Sequence, residues 1–294
     1  MPNKQTHKTI FDYITKQLKQ IYETVEAANI AFLLMEYLYE SSKMDISLQK
    51  EIQNFDENIL KDLLNRLLHH EPIQYVLGRA YFYFDYFLVN RHTLIPRSET
   101  EELVHLIIQE NKLRKGLKII DIGTGTACIP ITLFHHLLQA NIYAVEINKD
   151  TLEMAKQNAE NLQATIHLLQ ADILQIDNPT YKDVVSNFEQ KFDIIVSNPP
   201  YIRELEKAEI KPNVLVYEPA QALFVPNENP LLFYQAIADF ALKYLDKNGK
   251  LYFEINEYLG EETKIMLENR KFSKVKIYKD LHNKDRICVC ELVP

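Results

Sequence analysis

Cysteine is scarce in this chain of 294 residues: it has three, Cys128, Cys288 and Cys290. None belongs to a C-x-x-C pair and none stands with histidines at zinc-site spacing, so no metal centre is expected. The adjacent pairs His69-His70 and His135-His136 read as helix-surface residues. So few thiols fit a reducing, cytoplasmic setting. Long apolar runs are missing as well. None approaches the roughly 18–20 residues needed to cross a bilayer, and the opening MPNKQTHKTIFDY has no signal-peptide core. No membrane partner is expected. Positive charge is in deficit, with 33 Lys and Arg against 41 Asp and Glu and a net charge of −8. That argues against a broad phosphate-neutralising face and disfavours nucleic acid as the direct substrate. Internal repeats and low-complexity segments are absent.

What is present is apolar and aromatic: 47% hydrophobic residues, 17 Tyr and 14 Phe. That is enough for a sizeable core. The chain divides into two halves. From residue 8 to about 72, apolar residues recur at steps of three and four: Phe11, Ile14, Leu18, Ile21, Val25, then Leu33, Leu34, Tyr37, Leu38, then Ile59, Leu60, Leu63, Leu64, Leu67, Leu68. Glycine does not occur before Gly78, and Pro72 should close the last helix. A small helical bundle over 1–74 is predicted. The aromatic stretch Tyr75 to Pro96 reads as a β-hairpin linker, 75–95. A helix follows, with Ser98 and Glu101 at capping-box spacing. From 117 onward strands alternate with helices: 117–122, 141–147, 165–171, 192–197 and 250–255. That pattern predicts an α/β domain, 96–294, with a mostly parallel sheet covered on both faces. Two further strands, 274–278 and 286–292, lie too close together for a helical crossover and should pair antiparallel.

The first strand ends in IIDIGTGTACI. Gly123 and Gly125 permit a tight turn and close approach of a ligand, and the next helix should open near Thr126 with its free N–H groups facing an anionic group. A dinucleotide fingerprint would want glycine where Cys128 stands. Three acids point to S-adenosylmethionine instead. Asp121 can hold the turn or meet the cofactor's amino group. Glu146, at the end of the second strand, can accept both ribose hydroxyls. Asp172, after the third, can meet the adenine amino group, with Ile173 as an apolar face for the ring. All three follow consecutive strands on the carboxyl edge, where open α/β sheets bind ligands.

The fourth strand runs FDIIVS straight into Asn198-Pro199-Pro200-Tyr201. Prolines end the ladder, because neither offers an N–H. The Asn198 side-chain oxygen and the Pro199 carbonyl are two neutral acceptors. Together they can take both protons of a planar –NH₂. Tyr201 can stack on the planar group being modified. Such a clamp directs nitrogen electron density at an electrophilic methyl, and alignment of this kind can supply up to ~7–11 kcal/mol. It needs no charged base.

These motifs resemble the class I methyltransferases that modify planar nitrogens through Asn-Pro-Pro-Tyr. Within them the sequence is most similar to the peptide chain release factor glutamine N5-methyltransferases, the HemK/PrmC family. The resemblance rests on PIQYVLGRAYFYFDYFLVNRHTLIPRSETEEL, DIGTGTACIPI, AVEINKDTLEMAKQNAENL, FDIIVSNPPYI, YEPAQALF and DLHNKDRICV, and covers nearly the whole chain. It implies a Rossmann-like, seven-stranded domain with a helical N-terminal domain that helps grip a release factor. It also implies transfer of a methyl group from S-adenosylmethionine to the glutamine of a Gly-Gly-Gln loop, leaving S-adenosylhomocysteine. The cofactor loop maps onto Gly123, Thr124, Gly125, Thr126 and Ala127, the ribose acid onto Glu146, the adenine side onto Asp172 and Ile173, and the amide clamp onto Asn198, Pro199, Pro200 and Tyr201. Glu218, in the long segment from Ile202 to about Asn229, is placed on the substrate side. The sequence departs from the family at Ala127, where a third glycine is usual, at Glu146, commonly Asp, at Ser98 in PRSETE, and at Asn256, commonly Gly. Arg97 and Glu99 either wall the cofactor pocket or form an ion-paired helix start. One rival keeps the chemistry and changes the substrate to an exocyclic base amine in rRNA or DNA, which would want an electropositive groove; a second, of a different class, is a nicotinamide-dependent oxidoreductase, against which Cys128 and the Asn-Pro-Pro-Tyr strand end both weigh. A third rival is a non-catalytic binding module.

Overall fold

A computed structural model describes residues 5–186 and 191–293. Residues 1–4, the start of the stretch scanned for a leader, lie outside the described residues. The chain divides into two compact units. One comprises the residues up to Arg79 together with Lys211–Tyr217, the other Ala80–Ile210 and Glu218–Pro294.

The first unit is built of helices His7–Leu18, Thr24–Tyr39, Lys43–Ser47, Glu57–Leu68 and Ile73–Leu77. Thr6 and Asp56 cap the first and fourth of these by accepting from backbone N–H groups; each cap satisfies amides that have no partner within the helix. The core is formed by Ile10, Ile14, Leu18, Ala31, Leu34, Leu60, Leu64 and Leu67. The expected stripes are partly out of phase with it. Val25, Leu33, Tyr37 and Ile59 are exposed; the second helix buries Leu34 as expected, together with Ala27, Ile30, Ala31 and Met35. Pro72 does not end a helix. It precedes Ile73–Leu77 as its N-cap, where its fixed φ is an asset and its missing N–H costs nothing. The short helix Pro212–Tyr217 belongs to this unit: the Tyr217 hydroxyl donates to the His69 carbonyl at 2.8 Å and Lys211 pairs with Glu26 at 3.7 Å.

Eleven strands are found among the described residues. The hairpin is shorter than expected, β1 (Arg79–Phe82) and β2 (Asp85–Leu88), because Tyr75 to Leu77 are helical. Then come β3 (Lys118–Ile122), β4 (Asn141–Glu146), β5 (Ile166–Gln170), β6 (Phe192–Ser197), the short pair β7 (Ile202–Arg203) and β8 (Phe224–Val225), β9 (Leu245–Glu254), β10 (Phe272–Lys279) and β11 (Asp285–Leu292). Seven of them form one sheet in the order β10-β11-β9-β6-β3-β4-β5. β11 is antiparallel to both its neighbours and the other pairings are parallel. Successive side chains of a strand point to opposite faces, and the core divides accordingly. Ile119, Ile194 and Val196 join Leu103, Ile107 and Leu133 on one face. Ile120, Ile195 and Phe253 join Tyr234, Ile237 and Phe240 on the other. Apolar residues are needed on both faces, and so the central strands read as unbroken apolar runs.

A buried amide welds the hairpin to this layer. Asn158 accepts from the Leu88 N–H at 2.7 Å and donates to the carbonyls of Leu88 and Thr126, each at 3.0 Å. Asn158→Ala leaves three backbone groups without partners. With each buried orphan worth about 1 kcal/mol or more, denaturant unfolding should show a stability loss of about 3 kcal/mol; a loss within experimental error would show that the weld does not matter. No helix among the described residues is long and apolar enough to cross a membrane, and no cluster of three or more possible metal ligands occurs among them.

Candidate active site

Strand order places the site. β3 lies between β4 and β6, with connections running to opposite sides, so the carboxyl ends of these strands open a crevice. A cavity of about 290 Å³ occupies it, within the second unit. The turn after β3 is fixed before any ligand arrives. Gly123 and Thr124 donate their N–H groups to the Val145 carbonyl at 2.9 and 3.0 Å. Gly123 (φ 77°) and Gly125 (φ 57°) are left-handed. A Cβ at either would meet no protein atom within 4 Å, so glycine is required there for conformation, not for space. Ala127 is left-handed too (φ 61°, ψ 26°) and precedes the helix Cys128–His136, which starts two residues later than expected. A methyl-bearing residue in that conformation costs ~1–2 kcal/mol, a cost that a glycine there avoids.

Asp121, expected to hold the turn or meet the cofactor, is not itself among the residues lining the cavity, though Ile122, Gly123 and Thr124 beside it are. It is fully buried at the end of β3, and neither carboxylate oxygen has a hydrogen-bond partner; nor does the neighbouring Thr124 hydroxyl. Burial pushes its carboxyl up to about 7; the Thr124 hydroxyl, near it but outside hydrogen-bond geometry, offsets part of that, and the Glu146 charge adds to it. A buried, unpartnered acid is costly unless a ligand completes it. The wanted ligand is a donor, best a cationic one.

Glu146, at the end of β4, accepts from the Gly125 N–H through Oε2 and from the Asn148 N–H through Oε1, each at 3.0 Å. It thereby ties the glycine turn to the second strand, and each oxygen keeps a lone pair. Burial raises its carboxyl, and these backbone donors pull it back down. Asp172 follows β5 and accepts from the Leu174 N–H at 2.9 Å. Asp172 and Ile173 both line the cavity, with Gly123, Thr124, Gly125, Thr126 and Glu146.

β6 delivers the fourth group. Asp121 is in register with Val196, and the Ser197 hydroxyl donates to the Ile122 carbonyl at 2.6 Å. This pins the two strand ends together, with Asn198 one residue beyond. Asn198, Pro199 and Pro200 line the cavity. The Asn198 Nδ2 donates to the Thr100 hydroxyl at 3.0 Å. Tyr201 lies outside the cavity wall. Its hydroxyl donates to Glu254 at 2.9 Å and its ring packs against the sheet core. Asn256 explains itself: Nδ2 donates to the Tyr201 carbonyl at 3.0 Å and to Glu206, tethering the turn from behind.

The segment before the first α/β helix completes the wall through Leu94, Pro96 and Arg97. Arg97 donates to Glu218 at 2.6 Å, and the Ile95 N–H donates to the same carboxylate at 3.2 Å. Glu218 is thus buried and fully engaged, a strut between two loops, while its neighbour Pro219 lines the cavity. Arg97 serves both alternatives read from the sequence, pocket wall and ion pair; Glu99 accepts from Ser98 instead and does not line the cavity. The capping box does not form. Ser98 is already the first helical residue, and Glu101 accepts from the Tyr83 N–H at 2.8 Å, steadying the hairpin turn. Sequence reading missed Thr100 and Glu254, which carry no motif of their own.

A family model described as a methyltransferase domain matches residues 113–285, and one described as the PrmC N-terminal domain matches residues 9–78. The release factor glutamine methyltransferase of Flavobacterium psychrophilum is 41% identical over 275 residues, which is 92% of this chain and 93% of that protein. Its counterpart in Bacteroides thetaiotaomicron is 39% identical over 277 residues, 94% and 96% of the two chains. Among solved structures, the hMettl16 catalytic domain in complex with a MAT2A 3′UTR hairpin superposes with a TM-score of 0.53 at 18% identity, covering 71% of this chain and 76% of that one. At that identity the likeness is one of fold alone.

Proposed function

The chain belongs to the release factor glutamine methyltransferase family, and from that membership we propose that it transfers a methyl group from S-adenosylmethionine to N5 of the glutamine in the Gly-Gly-Gln motif of peptide chain release factors. The observation that carries this reading is the placement of Asn198: it lines the cavity at the end of β6, with its Nδ2 already engaged by Thr100. The amide oxygen is left for a substrate N–H.

The residues present fit the cofactor. Asp121, buried with two orphan oxygens, suits its cationic amino group. Glu146 keeps acceptor capacity for ribose hydroxyls, and Asp172 with Ile173 suits the adenine. Bound there, S-adenosylmethionine supplies a methyl group on a positively charged sulfur. Asn198 Oδ1 and the Pro199 carbonyl hold the two N–H groups of the glutamine amide and orient its nitrogen. Transfer would form the N–C bond as the methyl's bond to sulfur breaks, leaving a neutral thioether, and one of the two amide protons would pass to water. Neutral acceptors suit an amide that carries no extra proton at neutral pH. We assign the grip on the release factor to the helical unit, whose residues 9–78 match the PrmC N-terminal domain.

Mass spectrometry decides between this reading and methylation of a base amine. Incubated with the cofactor and a mixture of release factor, rRNA and DNA, the protein should add one methyl group to the Gly-Gly-Gln glutamine. Modification of the nucleic acid alone would overturn the assignment.

A further inference from the structure

We infer that Glu254 is a positioning residue that sets the direction of the Asn198 amide, acting through Thr100. The inference rests on the clamp role given to Asn198 above. Glu254 is the last residue of β9 and is 1% exposed. Its Oε2 accepts from the Thr100 hydroxyl at 2.6 Å and its Oε1 from the Tyr201 hydroxyl at 2.9 Å. A hydroxyl has one proton, and an ionised carboxylate only accepts. The Thr100 proton is therefore committed to Glu254. Toward Asn198, 3.0 Å away, Thr100 can only accept. The amide must turn its NH₂ to Thr100, and its planar geometry then turns Oδ1 the other way. Were the Thr100 proton free, it could donate to Oδ1. The flipped amide would then offer N–H groups to a substrate that itself offers N–H groups, and the clamp would repel what it should hold.

The same carboxylate holds the other end of the motif. Tyr201 is anchored by its hydroxyl to Glu254 and by its carbonyl to Asn256, so the turn through Pro199 and Pro200 is fixed on both sides. Burial raises the Glu254 carboxyl; the Thr100 and Tyr201 hydroxyls and the charge of Arg286 act to keep it ionised, and Glu99 opposes them. One buried acid thus decides both that Asn198 accepts and where the turn stands.

The test compares Thr100→Val with Thr100→Ser. Valine keeps the shape and removes the hydroxyl; serine restores the hydroxyl without the methyl. With a release factor as substrate, Thr100→Val should lower kcat about tenfold or more, with KM and the cofactor Kd within about threefold of wild type. Thr100→Ser should recover kcat to within about threefold. Side-chain amide NMR, with the Asn198 signal identified by its loss in Asn198→Asp, gives a readout independent of turnover. One Nδ2 proton should exchange slowly in wild type and rapidly in Thr100→Val. Should Thr100→Val fail to fold, Glu254→Met, which removes both carboxylate acceptors, is expected to show the same loss of kcat and of protection. Normal turnover in either variant, an equal loss in Thr100→Ser, or no protection in wild type would overturn the inference. A wild-type protein that leaves the release factor unmodified would overturn the functional reading instead, and amide exchange would still decide this one.

Discussion

Asn198→Ala should lower kcat by about 100- to 1,000-fold, the loss seen when a single aligned polar group is removed from a reacting centre. The substitution removes the amide oxygen that this reading sets against the substrate nitrogen. It also removes the group that fills the Thr100 lone pair. The fold should survive, because the β6 pairing ends at Ser197 and the strand end is pinned by the bond from Ser197 to Ile122. Cofactor binding should survive too, since the Asp121, Glu146 and Asp172 positions are untouched. The check is single-turnover methyl transfer to a release factor, alongside calorimetric titration with S-adenosylhomocysteine. Turnover at the wild-type rate would remove Asn198 from the mechanism.

Asp121→Asn should weaken cofactor binding by about 100-fold while making the free protein more stable. Both effects have one origin. The carboxylate is fully buried with no hydrogen-bond partner, so its charge costs the apoprotein stability and is completed only by a cationic ligand group, an interaction worth about 2–3 kcal/mol when desolvated. Its carboxyl titrates at about 7 in the folded protein against an ordinary 3.8. The folded state therefore holds this proton more tightly than the unfolded chain, and the penalty for ionising it is present above pH 7 and fades as pH falls through that value. The variant's gain in Tm should accordingly be largest at pH 8 and shrink by pH 6. Cofactor affinity of the wild type should fall over the same interval, approaching tenfold per pH unit below 7, because binding must expel the proton. The variant's weak affinity should be flat. An Asp121→Asn protein that binds as tightly as wild type, or a wild type with no pH dependence, would show that the acid does not meet the amino group.

Which parts of this were legible in the sequence follows from the range of the forces involved. The central strands were legible because burial on both faces demands the runs at Lys118–Ile122 and Phe192–Ser197. The acids at strand ends were legible because position along a strand fixes position at the sheet edge. Helix faces in the first unit were less so. Ile59 and Leu60 are adjacent, and only packing decides that Leu60 is buried and Ile59 exposed. Tyr75 to Leu77 looked like the start of a strand, yet Pro72 starts a helical turn there. Ser98 and Glu101 had capping-box spacing, but Glu101 is taken by the Tyr83 amide. Glu218, expected on the substrate side, is held by Arg97 across 121 positions. Thr100 and Glu254 were invisible for the same reason: their bond spans 154 positions, and neither residue type announces such a partner.

The most direct measurement is a crystal structure of the protein with S-adenosylhomocysteine and a release factor bound together. Asn198 Oδ1 should lie at hydrogen-bond distance, about 3 Å, from the glutamine side-chain nitrogen, with Nδ2 still on Thr100 and the cofactor's amino group on Asp121. A glutamine held by any other group, with the Asn198 carboxamide turned from the cofactor cavity, would contradict the account.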